Sequence, residues 1–550
     1  MKNIRWQLII ILVTGLVIGI LLLSEQTGFN IARPEVTRGG TYTEALVGEL
    51  QRLNPVLDYY NSADRDVDRL IFSRLITYTE NGLPEGDLAT NWGISFDGLS
   101  YNFDLNPEAV WHDGEPVTSA DIIFTVDVMR NSESVLPEDL KTFWNGVELI
   151  PLGDHSVQFR LPEAFAPFMD YLSFGILPEH LLGTLNYQQI INSSFNLEPI
   201  GSGPYVFDRL ITESGTIKGV VLSANPAYYG GEALISQFVF MYYPDGATAF
   251  AAFQEGAVQG ISEISSDILN DALSDTNLSI YSALKPEVST VLFNLNNGRV
   301  KFLQDENVRK ALLHAVDRRR LIDEALQGQA VISNIPLIPS NWAYYGGVQN
   351  FDYDPQRSAL LLDDAGYTMN TNGAAAFRAD DGEALSFELV HPDDAVHTAV
   401  AQTLQDDWRK VGIEVELMAV PYNVLILDYL EPLTYQAALI DLNFERSPDP
   451  DPYPFWDQAQ QTGGQNYSQW ENKVSSEYLE EARVITDLEE RSKLYRNFQV
   501  IFQDELPALP LHYPIYNFAV EDGVNGVRLG SFYDPSDRFY SVIEWYLLAQ

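Results

Sequence analysis

The run Val288-Ser289-Thr290-Val291-Leu292-Phe293-Asn294-Leu295-Asn296 is apolar, rich in β-branched side chains and ends in asparagines. Such a run predicts a buried strand that stops at a turn. A helix is predicted directly after it, because apolar side chains recur on one face at positions 308, 312, 315 and 316. We expect Asn307 to cap this helix and Gly328 to end its continuation. The strand is the predicted place where the chain crosses between two lobes.

Length and composition limit the number of domains and the classes of partner that this chain can have. A chain of 550 residues is too long for one hydrophobic core and predicts two or three domains. Its 77 acidic and 33 basic side chains give a formal net charge of −44. Nucleic acid and anionic lipid are therefore disfavoured as partners, since phosphate binding needs clustered lysine and arginine. The absence of cysteine excludes disulfides, thiolate metal sites and cysteine nucleophiles.

The N-terminus carries an uncharged run over residues 6–23, preceded by Lys2 and Arg5. Its length lies at the boundary between the core of a signal peptide and a membrane-spanning helix. No small-x-small cleavage pattern follows it, which favours an uncleaved anchor. The basic residues place its short end inside and the bulk of the chain outside the membrane. Residues 1–39 are thus predicted to be a membrane anchor or signal segment plus a tether.

From residue 40 onward, strand and helix patterns alternate, which is typical of the α/β class. A strand is predicted for residues 41–47, and a helix capped by Thr118 runs to Met129 with Asp121 at its third position. In the second half, the predicted helices are 356–365, 397–411 and 477–503, and the predicted strands are 385–390, 413–420, 437–442 and 509–513.

Catalytic and metal-binding motifs are missing from the sequence. It contains no G-x-S-x-G, H-E-x-x-H, P-loop or G-x-G-x-x-G run. His391 and His397 flank Asp393 and Asp394, but this is not a zinc-site spacing. An enzyme is disfavoured, and no cofactor is predicted. The 29 tyrosines, 28 phenylalanines and 9 tryptophans instead suit the walls of a cleft that binds an extended ligand reversibly, although many of them are expected to pack the core.

Several motifs, taken in order from about residue 40 to the C-terminus, give the sequence a family resemblance. They include Trp111-His112-Asp113-Gly114, Gly201-Ser202-Gly203-Pro204-Tyr205, Phe293-Asn294-Leu295-Asn296 and Asp449-Pro450-Asp451-Pro452-Tyr453, with further matches at 88–92, 176–182, 308–317, 361–367 and 412–416. Together they resemble the extracellular solute-binding proteins of family 5, the peptide- and nickel-type receptors of ABC importers.

The resemblance implies a bilobal fold of the class II periplasmic-binding-protein type, with two hinged α/β lobes. Lobe I is expected to be discontinuous and to consist of residues 40–57, 196–286 and 508–550. Residues 58–195 would form a subdomain inserted in lobe I, held by the Trp111 to Asp121 motif, and residues 287–507 would form lobe II.

The resemblance also implies a ligand site between the lobes. Backbone groups of residues 46–49 and of the Asn294 strand would bind the ligand, aromatic side chains would line it, and charged side chains would fix its end. The candidate ligand-binding residues are Leu46, Val47, Gly48, Glu49, Asn294, Trp342, Tyr344, Asp441, Asn443, Phe444, Arg446 and Asp449.

Two departures from the family pattern bear on these expectations. Relatives often carry a lipidated cysteine, which this chain lacks, so the apolar N-terminal helix would act as the tether. In peptide-binding members an aspartate before the Asp-Pro loop pairs with the peptide α-amino group. Arg446 stands near that place here, with Asp441 five residues earlier and Asp449 three residues later. A buried cation beside an ammonium group would be repulsive, which disfavours an ordinary peptide with a free N-terminus unless Arg446 points to solvent.

The resulting hypothesis is an extracytoplasmic, monomeric receptor that captures a peptide or similar oligomeric solute and delivers it to a membrane permease and its ATPase. Three alternatives stay open. A receptor for sugars, opines or a metal chelate would use the same fold, whereas a membrane-anchored extracellular hydrolase would turn its ligand over. A sensor or chaperone would use the same cleft without a permease.

Overall fold

The computed structural model describes residues 38–370, 377–380 and 383–548. The predicted anchor, residues 6–23, lies outside these ranges. Within them, no helix combines the length and the hydropathy that crossing a bilayer requires.

Twenty-three strands occur in the described ranges, and we number them in chain order. They are β1 (Thr41–Val47), β2 (Ile76–Tyr78), β3 (Pro84–Gly86), β4 (Ala89–Ile94), β5 (Ser100–Leu105), β6 (Glu148–Gly153), β7 (Ser156–Arg160), β8 (Tyr205–Glu213), β9 (Thr216–Ala224), β10 (Gln237–Tyr243), β11 (Gly260–Ile261), β12 (Leu278–Leu284), β13 (Glu287–Phe293), β14 (Ala330–Ile332), β15 (Thr368–Asn370), β16 (Phe377–Asp380), β17 (Glu383–Ala384), β18 (Ser386–Pro392), β19 (Glu414–Val420), β20 (Ala437–Asn443), β21 (Ala508–Glu521), β22 (Val524–Asn525) and β23 (Tyr546–Leu547).

The α-helices of the same ranges are numbered likewise. They are α1 (Ser62–Ile71), α2 (Ser119–Met129), α3 (Glu138–Gly146), α4 (Glu179–Leu182), α5 (Tyr187–Ile191), α6 (Gly246–Gln254), α7 (Leu269–Ser274), α8 (Glu306–Ala315), α9 (Arg318–Ala325), α10 (Pro355–Asp364), α11 (Ala395–Lys410), α12 (Tyr422–Val424), α13 (Tyr453–Trp456), α14 (Lys473–Val484) and α15 (Leu488–Glu505).

One 12-stranded sheet runs through the molecule in the order β19-β18-β20-β13-β21-β11-β1-β10-β9-β8, with β12 and β14 also paired to β21. Its two sides meet at β21. The first part of β21 pairs with β13 and β14, and the second part pairs with β11 and β12. We call the β1 side the first sheet half and the β13 side the second sheet half. The α/β class predicted from the alternating patterns is therefore correct.

The chain passes between the two sheet halves at two adjacent places. One is the Lys285-Pro286 link between β12 and β13, and the other lies within β21, where Pro514 pairs with β14 and Ile515 pairs with β12. The Lys285 N–H donates to the Pro514 carbonyl oxygen at 2.8 Å, so the two crossings are held side by side. The sequence placed the first crossing at the strand from Val288, and the structure places it two residues earlier.

Four hydrophobic clusters fill the interior. The largest packs the first sheet half against residues 53–195 and 516–545, without a break between the sheet and the predicted subdomain. Two others, with members from Val288 to Tyr513, cover the second sheet half. A fourth joins α6 to β1 and β11. Membership of the clusters changes between Tyr513 and Tyr516, which agrees with the crossing in β21.

The motif from Trp111 to Asp121 ties together the region next to the first sheet half. Asp121 accepts hydrogen bonds from the N–H groups of Thr118 and Glu179, each at 2.8 Å, and from the Trp111 indole at 3.4 Å. Both Trp111 and Asp121 are buried. Burial also raises the pKa of Asp121, against the lowering effect of its hydrogen bonds. The carboxylate thus starts α2 and joins it to α4, as the capping pattern predicted.

Several predicted element boundaries differ from the structure. The helix predicted to continue from Asn307 to Gly328 is two helices, α8 and α9, because Asp317 starts a new helix by accepting the Arg320 N–H. Asp305, not Asn307, caps α8, because its side chain accepts the Asn307 N–H. The predicted helix 477–503 is two helices, α14 and α15, since Asp487 starts a new helix by accepting the Glu490 N–H. The predicted strand 509–513 extends to Glu521, because β21 finds partners in both sheet halves.

Candidate functional site

A cavity of about 250 Å³ lies between the largest hydrophobic cluster and the loop that follows β20. Its walls come from segments far apart in the chain: residues 55–78, 129–175, 445–448 and 531–540. Its volume is near the lower end of the range for small-ligand sites, roughly 300–1,000 Å³. Residues 445–448 belong to the second sheet half, whereas the other three segments pack on the first. The cavity is therefore enclosed by both halves.

Contacts between the two halves border this cavity. The Arg446 N–H donates to the Tyr533 carbonyl oxygen at 2.9 Å, and the Asp449 N–H donates to Asp170 Oδ2 at 2.6 Å. The Arg446 guanidinium lies 3.8 Å from the centre of the Tyr59 ring, which is a cation–π contact. Arg446 adopts a positive φ of 59°, so the loop makes a sharp turn to reach across.

One wall of the cavity carries two neighbouring carboxyl groups, those of Asp58 and Asp68. Asp68 lies on α1 with 3% of its surface exposed, and Asp58 lies in the preceding loop with 8% exposed. Within the described part of the chain Asp68 forms no ion pair, and its nearest polar neighbours are the Asn54 N–H and the Asp58 carboxyl group. Burial raises the pKa of Asp58 to about 8, against the lowering effect of Arg65 and Arg446. Burial and the Asp58 charge also raise the pKa of Asp68 far above its usual value.

Four arginines also reach the cavity, in a protein whose net charge is strongly negative: Arg65, Arg69, Arg74 and Arg446. Arg65 Nε donates to Asp534 at 2.9 Å, whereas Arg74 is 4.0 Å from the Asp537 carboxylate. Within the described ranges, Arg69 and Arg446 form no ion pair, and Arg69 reaches only the Thr77 hydroxyl at 3.5 Å. The cavity therefore presents unpaired groups of both charges.

Burial and ion pairing determine the pKa values of two groups on the cavity wall, Arg74 and Asp534. Burial lowers the pKa of Arg74 to about 10, helped by the like charge of Arg69. Burial opposes ionisation of Asp534, but the Arg65 guanidinium and the Ser536 N–H hold its pKa down at about 2. Arg65 is thus neutralised by Asp534, and this pair is a fixed part of the wall.

Asp170 sits where the halves meet and is connected to a buried ion pair. Its Oδ1 accepts the Tyr78 hydroxyl at 3.1 Å, while Oδ2 accepts the Asp449 N–H. The Asp449 carboxylate receives two hydrogen bonds from Arg491, at 2.6 and 2.7 Å. Burial and the charge of Asp449 raise the pKa of Asp170 well above its usual value. This network positions the 445–451 loop over the cavity.

The chain is similar to known proteins of one family. The model of the bacterial extracellular solute-binding proteins, family 5, matches residues 84–465, which is more than half of the chain. The chain belongs to this family. An oligopeptide-binding protein, AppA of Bacillus subtilis, is 26% identical to it over 93% of this chain and 92% of the relative.

Two solved structures of similar proteins agree with the observed architecture. AppA of Bacillus subtilis in complex with a nonapeptide has a TM-score of 0.67, with 25% identity over 94% of this chain and 100% of that chain. NikZ of Campylobacter jejuni in complex with Ni(L-His) has a TM-score of 0.68, with 28% identity over 92% and 99%. The family 5 solute-binding fold that the sequence motifs implied is thus confirmed.

Among the candidate residues of this family 5 protein, Arg446 lines the cavity. Asp449 lies just outside it, paired with Arg491. Asp441 is held by His397 Nε2 at 3.1 Å; this contact keeps the pKa of Asp441 below its usual value despite burial, and it raises that of His397. Trp342 lies beneath Arg491, whose guanidinium is 5.1 Å from the ring centre.

The remaining candidates also lie away from the cavity lining. Phe444 is buried against Phe455, Asn443 accepts the Glu445 N–H at 2.7 Å, and Tyr344 is half-buried in a neighbouring cluster. Asn294 donates to the carbonyl oxygens of Leu433 and Tyr435 and lines a separate polar depression.

Residues 46–49 stand at the end of β1. Leu46 is buried in the largest cluster and Val47 packs on the fourth, while Gly48 donates to the Tyr243 carbonyl oxygen and Glu49 accepts from Asn61. A role in ligand contact stays a prediction for all of these residues.

Sequence reasoning missed the acids of α1. Asp64, Asp66 and Asp68 are spaced two apart, and all three are buried. On a helix, residues four apart, such as Asp64 and Asp68, share a face, and Asp66 between them lies on the opposite face. Because one face of the helix is apolar and faces the core, the three aspartates cannot all point to solvent. That spacing was a usable signal. Asp64 accepts the N–H groups of residues 51 and 52, and Asp66 binds Arg538, which leaves Asp68 for the cavity.

The cavity wall contains no histidine. Over the described ranges, no group of three or more histidine, aspartate or glutamate side chains is arranged to hold a metal ion. The chemistry of the wall is that of charged and aromatic side chains, which bind ligands through ion pairs and ring contacts.

Proposed function

We propose that this family 5 protein is the extracytoplasmic substrate-binding receptor of an ABC importer, capturing peptides or similar solutes between its lobes and delivering them to a permease. The observation that carries this proposal is the cavity, which both halves of the molecule enclose and which presents unpaired charges of both signs. Similarity to the oligopeptide-binding AppA supports peptide as the ligand class.

The proposed mechanism is hinge closure. Within the described residues, two adjacent strand crossings, at Lys285-Pro286 and Pro514-Ile515, link lobe I with lobe II. We propose lobe I as 40–57, 196–286 and the C-terminal segment, with 58–195 inserted and lobe II from 287. The pairing of β21 favours a return to lobe I near 514 instead of 508. A ligand that contacts both lobes stabilises the closed form by its differential affinity.

A binding role is proposed in preference to catalysis. The hydroxyl groups on the wall, such as Ser173, Ser447 and Ser531, have no histidine beside them within the cavity lining. Acyl transfer by a serine needs a base within hydrogen-bond reach. The ligand is therefore expected to leave the cavity chemically unchanged.

The proposed setting follows from the uncharged run at residues 6–23 and the basic residues before it. Residues 6–23 would anchor the receptor at the membrane, with the described ranges on the outer side. The permease would recognise the receptor when its two lobes are closed. We propose that the receptor acts as a monomer, since one chain supplies every wall of the cavity.

Mass spectrometry of the purified full chain under native conditions tests the proposal. We expect a co-purified peptide that is released when the protein is denatured. When this peptide is added back to folded protein, its mass should stay unaltered. If a glycan, opine or metal chelate is bound in place of a peptide, the protein is a receptor for that alternative ligand class. Cleavage of added peptide by the purified protein would overturn the receptor proposal in favour of a hydrolase.

A further inference from the structure

One lysine and three carboxyl groups surround the place where the chain first passes between the sheet halves. Lys285 lies on the crossing itself, and its Nζ is 3.3 Å from the Glu263 carboxylate, which belongs to the first half. Glu287 and Glu445 approach Lys285 from the second half, at the start of β13 and in the loop after β20. A single positive charge is therefore shared among three groups that can each carry a negative charge.

The side chain of Glu287 has no cation of its own. Lys285 is paired with Glu263, and Glu287 makes no ion pair in the described ranges. On the same face of β13, Ser289 stands opposite Asp441 of β20 and His512 of β21. The Asp441 carboxylate adds a negative charge to this face, and His512 adds no positive one because burial lowers its pKa to about 4.

Glu287 therefore holds a proton up to about neutral pH. Burial raises its pKa to about 7; the charge of Asp441 adds to this effect, and the charge of Lys285 opposes it. The titratable side chains that face Glu287 are Asp441 of β20, Lys285 of the crossing, Glu445 of the loop after β20, Glu263 of the loop after β11 and Tyr422 of α12. Loss of the proton adds a second negative charge beside Lys285, on the other half from Glu263.

We propose that Glu287 is a proton switch at the hinge: with its proton bound the two halves stay together, and without it repulsion from Glu263 favours their separation and the release of ligand. The proposal rests on the proposed function and adds its regulation. Separation moves the two carboxylates apart and lets water reach the crossing, and both changes stabilise an ionised Glu287. The affinity for ligand should consequently fall as the pH rises.

The direction of the pH effect follows from proton linkage. We call the arrangement described above bridged, because the loop after β20 contacts both halves. Opening hydrates Glu287 but leaves Asp441 beside it, so the pKa of Glu287 in the open arrangement lies between about 4.3 and about 7. Between the pKa values of the two arrangements, the bridged form keeps a proton that the open form has lost. Raising the pH through this window therefore favours opening.

Single-molecule energy transfer on the ligand-free full chain measures this equilibrium. The chain has no cysteine of its own, so Leu273→Cys on α7 and Leu360→Cys on α10 place labels at exposed positions on opposite halves without changing a charge. The ratio of open to bridged molecules should rise roughly tenfold between about pH 5 and about pH 8. Because Asp58 in the cavity wall also titrates, the decisive quantity is the difference between the parent and each variant.

Three variants assign the pH effect to the crossing. Glu287→Gln imitates the protonated side chain, so it should match the parent near pH 5 and open roughly tenfold less near pH 8. Lys285→Gln removes the cation that favours ionised Glu287, so the rise should move to higher pH. Glu388→Gln is the matched control: this partly buried glutamate of β18 also has a raised pKa, but it lines the separate polar depression. Its curve should coincide with that of the parent.

The outcomes separate this proposal from the broader one. Identical pH curves for the parent and Glu287→Gln, or an unchanged midpoint in Lys285→Gln, overturn the switch. A parent chain that shows a single arrangement at every pH also overturns it. In each case a ligand found by native mass spectrometry would leave the receptor standing, whereas a chain with one arrangement and no bound ligand would remove both proposals.

Discussion

At the residue scale, the molecule contains buried charges of two kinds. Some are fully paired, such as Arg538, which lies between Glu44 and Asp66 with all three side chains buried. Others, such as Asp58 and Asp68, face a cavity without forming an ion pair in the described ranges, although Arg65 and Arg446 lie near enough to lower the pKa of Asp58. Removing one partner of a buried ion pair leaves an uncompensated charge and is strongly destabilising, whereas replacing a buried acid that has no ion-pair partner leaves no charge behind. The two kinds therefore respond to substitution in opposite directions.

Arg491→Met should destabilise the protein strongly. It removes both hydrogen bonds to Asp449 and leaves that carboxylate buried without a partner, which costs roughly 3–5 kcal/mol. Urea unfolding followed by tryptophan fluorescence should show the shift. Arg496→Met, at an exposed position on the same helix, is the control and should change stability by less than about 0.5 kcal/mol. A shift of that small size for Arg491→Met would mean that the pair contributes nothing.

Asp58 should make the protein less stable as the pH rises. Its pKa in the folded state is about 8, against about 3.9 for an unfolded aspartate. Between these values the folded state keeps a proton that the unfolded state has lost, so the free energy of unfolding falls with increasing pH, by up to roughly 1.4 kcal/mol per pH unit.

Comparing Asp58→Asn with the parent measures this effect. Urea unfolding at several pH values between about 4.5 and about 7.5 should give a shallower slope for the variant, because asparagine does not titrate. Asp323→Asn is the control and should reproduce the parent slope. Parallel curves for Asp58→Asn and the parent would show that the carboxyl titrates normally in the folded state.

At the element scale, α2 depends on a single carboxylate. Asp121 accepts hydrogen bonds from two backbone N–H groups and an indole, and so joins α2, α4 and the Trp111 turn. Local sequence sets this cap, whereas tertiary packing brings Glu179 and Trp111 to it. Loss of the Asp121 carboxylate should therefore remove both the cap of α2 and its links to α4 and the Trp111 turn.

Asp121→Ala should cost roughly 1–3 kcal/mol, since it removes a helix cap and leaves buried N–H groups without acceptors. Hydrogen exchange should quicken at Thr118 and Glu179, with little change in the second sheet half. Asp127→Ala, on the exposed end of α2 beside Arg130, is the matched control. Unchanged exchange at Glu179 would contradict the proposed link between the two helices.

At the scale of the whole molecule, the loop after β20 bridges the two sheet halves. Arg446 and Asp449 in the loop after β20 donate hydrogen bonds to residues that pack on the first sheet half. The two strand crossings lie next to each other and are joined by the Lys285–Pro514 hydrogen bond. Two adjacent crossings with few covalent links between the halves suit the proposed hinge.

Asp170→Leu should weaken ligand binding by loosening the contact between the two sheet halves at the cavity wall. It removes the acceptor for the Asp449 N–H, worth roughly 1–1.5 kcal/mol, so the Kd for peptide should rise about fivefold to tenfold as the closed form loses stability. Single-molecule energy transfer between labels on α7 and α10 should show a larger open population. Asp406→Leu, on the exposed face of α11, is the control. An unchanged Kd would remove Asp170 from the closure mechanism.

The sequence alone determined the α/β class, most element positions, the cap of α2 and the lack of a catalytic motif, because periodicity and capping depend on residues only a few positions apart. The family motifs added the fold. The site was decided by tertiary structure: Asp170 meets Asp449 across 279 residues, and Arg446 meets Tyr59 across the cleft. Asp449 is taken up by Arg491, 42 residues away, and Asp68 is left without a partner. Which charges end up paired depends on distances that only the folded chain fixes.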